Sequence, residues 1–204
     1  MAVIGITGGI STGKTSFCEC LREIVPAGKF FDADQAAHQL VGLDPEVKKE
    51  IRREFGTGVF SADGDLNREE LRAIVFEDAT KKRALEQILH PRIRRQWSTQ
   101  AETHRNSPDF FFADIPLLYE TGGETLCDRV VVVACSSKTQ LRWLMERTSL
   151  ELSAAEQMIN SQMSLNEKIR RADHVVWNNG DRAAIAKQAR FLVALWHQQS
   201  WTKS

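Results

Sequence analysis

Residues 8–15 read Gly8-Gly9-Ile10-Ser11-Thr12-Gly13-Lys14-Thr15, and they follow Val3-Ile4-Gly5-Ile6, an apolar run of strand length. The octet satisfies G-x-x-x-x-G-K-[ST] in full, the pattern of a phosphate-binding loop. Gly8 and Gly13 let the backbone curl until successive N–H groups point inward at an anion, and the helix that follows adds its positive N-terminal end. That helix is legible in Phe17, Leu21 and Ile24. Strand, anion-binding turn and helix, in this order, commit the start of the chain to an α/β arrangement. Lys14 is then expected to reach the β- and γ-phosphates, and the Thr15 hydroxyl to ligate Mg²⁺.

Charge narrows the partners. The 204 residues carry 27 Lys+Arg against 27 Asp+Glu, so no overall field favours nucleic acid or a membrane surface, and any anion site must be local. With 42% hydrophobic residues the chain can bury a full core as one domain. No basic segment leads into a long apolar stretch, and no window approaches the roughly 20 apolar residues of a membrane span, which makes a cytoplasmic protein the expectation. Nothing indicates an obligate protein partner. Cys18, Cys20, Cys127 and Cys135 contain no C-x-x-C, and Cys18 and Cys20 are expected on different faces of a helix, as buried or incidental thiols. The histidines give no H-x-x-x-H or H-E-x-x-H spacing. Any metal is expected to be Mg²⁺ carried in with a nucleotide.

Further along, residues 15–24 read as a helix stopped by Pro26 and Gly28, and Lys29-Phe30-Phe31 as a short strand running into Asp32-Ala33-Asp34. From Gln35 to about Arg105 the period is helical, with breaks expected at Leu43-Asp44-Pro45, at Ala62-Asp63-Gly64 and at His90-Pro91. Asn67 and Glu70 resemble a capping box for a helix carrying Leu71, Ile74, Val75 and Phe76. Near-continuous apolar strands return at residues 110–113 and 130–134, the composition of strands buried on both faces of a parallel sheet. Residues 139–147 are helical, and 150–172 are polar and short-helical, which suggests a small mobile flap. Residues 173–177 read as a last strand, Asn178-Asn179-Gly180 as a turn and 181–198 as a closing amphipathic helix. We therefore expect a single domain over residues 1–204, with a helical insertion at 35–106 and a lid at 148–172.

In open parallel sheets ligands gather at the carboxyl ends of the strands. Lys14, the pair Asp32 and Asp34, Asp114, and Asn179-Gly180 all fall at such ends. Read as an extended chain, Asp32 and Asp34 project to one side, so that one accepts a hydroxyl proton while the other holds Mg²⁺. Arg147, at the mouth of the flap, has the planar fork suited to a transferring phosphoryl group. Arg142, Lys168, Arg170 and Arg171 are weaker candidates.

Taken in order, several pieces resemble the bacterial dephospho-CoA kinase family over roughly residues 4–192: Gly5-Ile6-Thr7-Gly8-Gly9-Ile10, Asp32-Ala33-Asp34 with Ala37-His38, Leu89-His90-Pro91-Arg92-Ile93, Asp114-Ile115-Pro116-Leu117-Leu118-Tyr119-Glu120, Gln140 with Arg147, Gln162-Met163, Lys168 before Ala172-Asp173, and Asn179-Gly180. The resemblance implies a P-loop kinase with a five-stranded parallel core flanked by helices, a helical lobe that holds the coenzyme, and a lid over ATP. It implies ATP and dephospho-CoA as substrates and Mg²⁺ as cofactor. Gly8, Gly9, Ser11, Thr12, Gly13, Lys14, Thr15 and Ser16 would hold the nucleotide, with Asn179 and Gly180 at the adenine. Asp34 would be the base for the ribose 3′-hydroxyl, with Lys14 and Arg147 as the other catalytic groups. Asp32, His90, Pro91, Leu117 and Leu118 would contact the acceptor, and Thr15 and Asp32 the metal. The loop departs from the family pattern at Ser11, where glycine is usual and a Cβ is added, and Trp143 stands at a position that is usually basic. A nucleoside or nucleoside-monophosphate kinase differs only in its acceptor. A nucleotide-dependent switch is disfavoured because no Asn-Lys-x-Asp guanine-reading motif occurs.

Overall fold

The computed structural model describes residues 2–61, 63–105 and 107–198. Ala62, of the expected turn, and Asn106, the last residue of the expected insertion, lie outside them. Five strands, β1 (Val3–Gly8), β2 (Lys29–Asp32), β3 (Phe111–Asp114), β4 (Arg129–Ala134) and β5 (His174–Trp177), form one parallel sheet in the order β2-β3-β1-β4-β5. β1 is central and buried along its whole length, with Ile6 opposite Asp114 on β3 and Gly8 opposite Val133 on β4. A strand covered on both faces needs apolar side chains at every position, which is why β1 and β4 read as continuous rather than alternating runs. Thr7 and Gly8 depart from the run at its end, and Gly5 within it. A Cβ on Gly5 would lie 2.7 Å from Cys127 Sγ and 2.8 Å from Leu118 Cδ2.

The helices are α1 (Lys14–Ile24), α2 (Ala33–Leu43), α3 (Pro45–Phe55), α4 (Arg68–Glu77), α5 (Ala79–Thr103), α6 (Ser137–Thr148), α7 (Leu152–Asn160), α8 (Leu165–Arg171) and α9 (Arg182–Gln198). Two compact units result, one from residues 1–31 with 101–204 and one from residues 32–100. In the first, Phe17, Cys18, Cys20 and Leu21 of α1 join Ile4, Ile6, Val131, Val133 and the inner face of α9 (Ile185, Ala189, Leu192, Val193, Trp196) in one apolar cluster. Cys18 and Cys20 are thus both buried, because α1 packs on the sheet and also on α9. Burial pushes the Cys127 thiol up to about 12 and that of Cys135 up to about 11, and raises Cys18 further with help from Asp114, so these thiols stay protonated.

In the second unit Leu40, Val41, Val47, Ile51, Val59, Ile88 and Leu89 make a separate small core. The break at Leu43-Asp44-Pro45 is present: Asp44 ends α2 and caps α3, accepting from the Glu46 and Val47 amides. Asn67 caps α4 through the Glu70 amide, and Leu71 is buried, but Phe76 is exposed.

Two local expectations are corrected. No break occurs at His90-Pro91, since α5 runs through Pro91 for 25 residues. An internal proline removes one helical hydrogen bond and crowds the preceding turn; here the Arg92 guanidinium donates to the Ile88 carbonyl at 2.7 Å and to Glu50 at 2.6 Å, supporting the helix at that turn. Nor do Asp32 and Asp34 lie on one side of an extended chain. Asp32 Oδ1 accepts from the Gln35 amide at 2.9 Å, which turns the backbone into α2 and leaves Asp34 in the first helical turn. Residues two apart on a helix do not face the same way.

Candidate active site

The phosphate loop joins β1 to α1. Gly13 adopts φ 87° and a Cβ there would lie 1.9 Å from Asn178 Nδ2, while one on Gly9 would lie 2.6 Å from Gln140 Nε2. At Gly13 the left-handed φ favours glycine independently of that approach, whereas at Gly9 the end of the Gln140 side chain would have to shift to admit a Cβ. The two side-chain amides donate to loop carbonyls, Gln140 to Ile10 and Asn178 to Thr12, both at 2.9 Å. The Thr12 hydroxyl donates to the Gly9 carbonyl at 2.9 Å, and Lys168 Nζ to the Gly8 carbonyl at 3.2 Å. Carbonyl oxygens repel phosphate, and those of residues 8, 9, 10 and 12 are each held by a donor.

The helix that follows is left open to an anion. α2, α3, α4, α6 and α8 are capped by the side chains of Asp32, Asp44, Asn67, Ser136 and Ser164. α1 begins after Gly13, with no side-chain cap and no acid in its first turn. The amides of Lys14, Thr15 and Ser16 therefore present the positive end of the helix without internal compensation. Ser16 is half-buried and Thr15 is exposed.

Ser11 adopts φ 56°, and its hydroxyl is buried with no hydrogen-bond partner among the described residues. A left-handed conformation costs a side-chain-bearing residue roughly 1 kcal/mol relative to glycine, so the departure at this position is also a local strain.

Lys14 is ion-paired with Asp114 at the end of β3, whose other oxygen receives the Cys18 thiol at 3.4 Å. Asp114 is 5% exposed. At the far end of the sheet Asn179 is exposed, its Oδ1 accepting from the Ser136 amide at 2.7 Å, next to exposed Gly180. Arg147 is exposed in the last turn of α6.

Segment 148–172 divides into two parts. α7 buries only Ala155. α8 is fastened: Lys168 is fully buried, Arg171 pairs with Glu124 and lies over the Tyr119 ring at 4.3 Å, and Glu120 accepts from the Met163 amide at 3.0 Å. Burial lowers the Lys168 ammonium from the ordinary lysine value, against the pull of Glu120. The expected mobile flap is thus tied down in its second half, and Arg170 is paired with Glu167.

In the helical unit, Asp34 is exposed at the start of α2, and half-buried His90 lines a cavity of about 370 Å³ with Pro91, Arg83, Glu86 and Gln87. The expected acceptor wall loses one member. Leu118 is fully buried against Gly5 and belongs to the core, whereas Leu117 is half-buried.

No group of three or more His, Cys, Asp or Glu residues that could hold a metal by itself occurs among the described residues. Mg²⁺ takes one or two protein oxygens and completes its shell with phosphates and water. The exposed Thr15 hydroxyl at the start of α1 suits that demand.

The residues that sequence reasoning undervalued are Asp114, Gln140, Lys168 and Asn178. Each is a polar residue of low exposure that contacts the loop or its lysine. Their signal was weak: a polar residue at or just past the end of an apolar strand for Asp114 and Asn178, one of several cations in the flap for Lys168, and none for Gln140 beyond the resemblance.

A family model described as dephospho-CoA kinase matches residues 2–184. The dephospho-CoA kinase of Symbiobacterium thermophilum is 40% identical over 197 residues, spanning 95% of this chain and 82% of its own. That of Listeria monocytogenes is 38% identical over 187 residues, spanning 91% and 92%. Among solved structures, TT1252 from Thermus thermophilus superposes with a TM-score of 0.77 at 29% identity over 98% of both chains, and dephospho-CoA kinase from Campylobacter jejuni with 0.66 at 26% identity over 95% and 96%. Shikimate kinase from Aquifex aeolicus, at 12% identity and a TM-score of 0.53 over 97% of this chain and 99% of its own, shares the fold.

Proposed function

The chain belongs to the dephospho-CoA kinase family, and on that premise we propose how its residues divide the work of the reaction. The enzyme transfers the γ-phosphate of ATP to the ribose 3′-hydroxyl of dephospho-CoA, giving CoA and ADP. Phosphoryl transfer asks little covalent work of a protein; the barrier falls through positioning and through charge aimed at the transferring group.

The amides of the loop and of the first turn of α1 hold the phosphates, joined by Lys14. The observation that carries this reading is the uncapped, acid-free N-terminus of α1 directly after a loop whose carbonyls are held by Gln140, Asn178, Thr12 and Lys168; α7 also lacks a side-chain cap but follows no such loop. Lys14 exchanges Asp114 for the β- and γ-phosphate oxygens when nucleotide binds. Asn179 and Gly180 contact the adenine.

Asp34 takes the proton of the 3′-hydroxyl as that oxygen bonds to phosphorus. The bond from phosphorus to the β,γ-bridging oxygen breaks, and its electron pair leaves with ADP. Arg147 offsets charge on the equatorial oxygens. His90, Pro91 and Leu117 contact the acceptor. Thr15 ligates Mg²⁺, and Asp32, with Oδ1 engaged by the Gln35 amide, keeps Oδ2 for metal or substrate. When bound, Mg²⁺ bridges phosphate oxygens and neutralises part of their charge. Residues 1–204 act as one kinase domain, with 35–106 as coenzyme-binding insertion and 148–172 as lid. No helix among the described residues is long and apolar enough to cross a membrane.

Incubation with Mg-ATP and a panel of acceptors, read by mass spectrometry, tests the reading. Dephospho-CoA should gain the mass of one phosphate while nucleosides and nucleoside monophosphates stay unchanged. A phosphorylated nucleoside monophosphate with untouched dephospho-CoA would move the chain to another acceptor.

A further inference from the structure

Lys168 lies on α8, 160 positions from the loop in sequence, and is fully buried. Its ammonium donates to the Gly8 carbonyl at 3.2 Å, to the Pro116 carbonyl at 2.8 Å and to Glu120 Oε1 at 2.9 Å. An ammonium has three N–H donors. All three are engaged inside the protein, and none is left for a phosphate.

The acceptors come from separate segments. Gly8 opens the phosphate loop, Pro116 follows β3 and also accepts from the Thr7 hydroxyl at 2.9 Å, and Glu120 also accepts from the Met163 amide between α7 and α8. Stability alone does not call for a charge here. Replacing both members of a buried ion pair by apolar residues of similar volume is often neutral or stabilising, although removing one alone leaves the other uncompensated. What an apolar residue cannot do is hold the Gly8 carbonyl, whose oxygen would otherwise be free to turn toward a bound anion.

Resting on the reading of residues 8–15 as the nucleotide site, we propose that Lys168 is a positioning residue for the nucleotide. It keeps the Gly8 carbonyl out of the phosphate cradle and makes α8 the fixed base of the lid. It acts through the loop and does not touch the phosphates.

The test compares wild type with Lys168→Met/Glu120→Gln, in which the charge is removed together with the carboxylate it would orphan, and with Lys168→Arg. The measurements are ADP affinity by titration calorimetry, melting without nucleotide, and steady-state kinetics. The double variant leaves the Gly8 carbonyl without this donor, so it should melt somewhat below wild type, and at a temperature where it is folded it should bind ADP about tenfold more weakly or worse. KM for ATP should rise with it, while KM for dephospho-CoA stays within about threefold, since the nucleotide site and not the acceptor site is disturbed. Lys168→Arg should weaken ADP likewise, because a planar fork cannot meet three converging acceptors; it carries the comparison if the double variant fails to fold. ADP affinity within about twofold of wild type in a folded variant overturns the proposal, as does a fall in kcat at unchanged ADP affinity, which would mark a transition-state role. A wild-type protein that binds no ADP overturns the nucleotide reading of residues 8–15 itself.

Discussion

The two compact units use polar residues in opposite ways. Thr7, Thr12, Asp114, Gln140, Lys168 and Asn178, the buried polar residues among those described, all belong to the unit that carries the sheet. In the helical unit the buried residues are apolar, and the ion pairs Lys48–Asp65, Lys81–Glu54 and Arg92–Glu50 keep solvent contact. A buried polar group destabilises unless it is matched, so a cluster of them, matched chiefly to one loop's carbonyls, marks a place where the backbone must hold one shape. The helical unit needs only a filled core. Substitutions should therefore read differently in the two units, in activity for one and in stability for the other.

The largest effect is expected from Lys14→Ala. Transfer should fall by about 10³-fold or more, the scale of losing a cation on the transferring phosphate. The variant also leaves Asp114 buried without this partner, so melting without nucleotide should report a loss of about 1–3 kcal/mol. Wild-type melting would show that the ion pair does not stabilise the nucleotide-free protein.

Asp34→Asn sharpens the comparison, because it concerns an exposed residue of the helical unit given a chemical task. General-base assistance is typically worth about 10²–10⁴ in rate. We expect kcat to fall in that range, with stability changed by less than about 1 kcal/mol, the scale of one charge at a helix N-terminus. A defect that excess Mg²⁺ restores would transfer Asp34 from proton acceptor to metal ligand.

Ile51→Ala should act in the reverse sense. Ile51 is fully buried in the helical core, and truncation should cost about 2–5 kcal/mol in a urea or thermal melt. At a temperature where the variant remains folded, kcat should stay near wild type. A large kcat defect there would mean that the helical core also sets the geometry of catalysis.

Ser11→Gly is the smallest effect, and its two readouts should also diverge. Relief of the left-handed conformation and loss of the unpartnered buried hydroxyl outweigh glycine's greater unfolded-state freedom, for a net gain of about 1 kcal/mol. ADP affinity should hold, since the loop amides are unchanged. Destabilisation would mean that the Ser11 hydroxyl has a role in the folded state that outweighs its strain.

Legibility in the sequence followed the range of the interactions. The loop, β1 and α1 were readable because glycines, lysine and an apolar run are local signals. The Asp44 and Asn67 caps were readable for the same reason, each bonding amides within three residues. Pro91 misled because its effect on a helix depends on support from Arg92 and Glu50, which is a tertiary matter. The placement of Asp34 misled through a single hydrogen bond, from the Gln35 amide to Asp32, that starts the helix at Ala33, two residues early. Leu118 looked like a site residue by its motif and turned out to be core, because Gly5 on the central strand leaves room for it.

By itself the sequence determined that this chain has a phosphate loop between a buried strand and a helix, that its sheet is parallel, and which residues carry the family's motifs. These rest on contacts between neighbours in the chain or on composition imposed by burial on two faces. Only the tertiary structure decided that Gln140 and Asn178 hold the Ile10 and Thr12 carbonyls, that Lys14 meets Asp114, and that Lys168 ties α8 to Gly8. Those contacts span 100 to 166 residues, and no local pattern encodes a hydrogen bond whose partner is brought close only by folding.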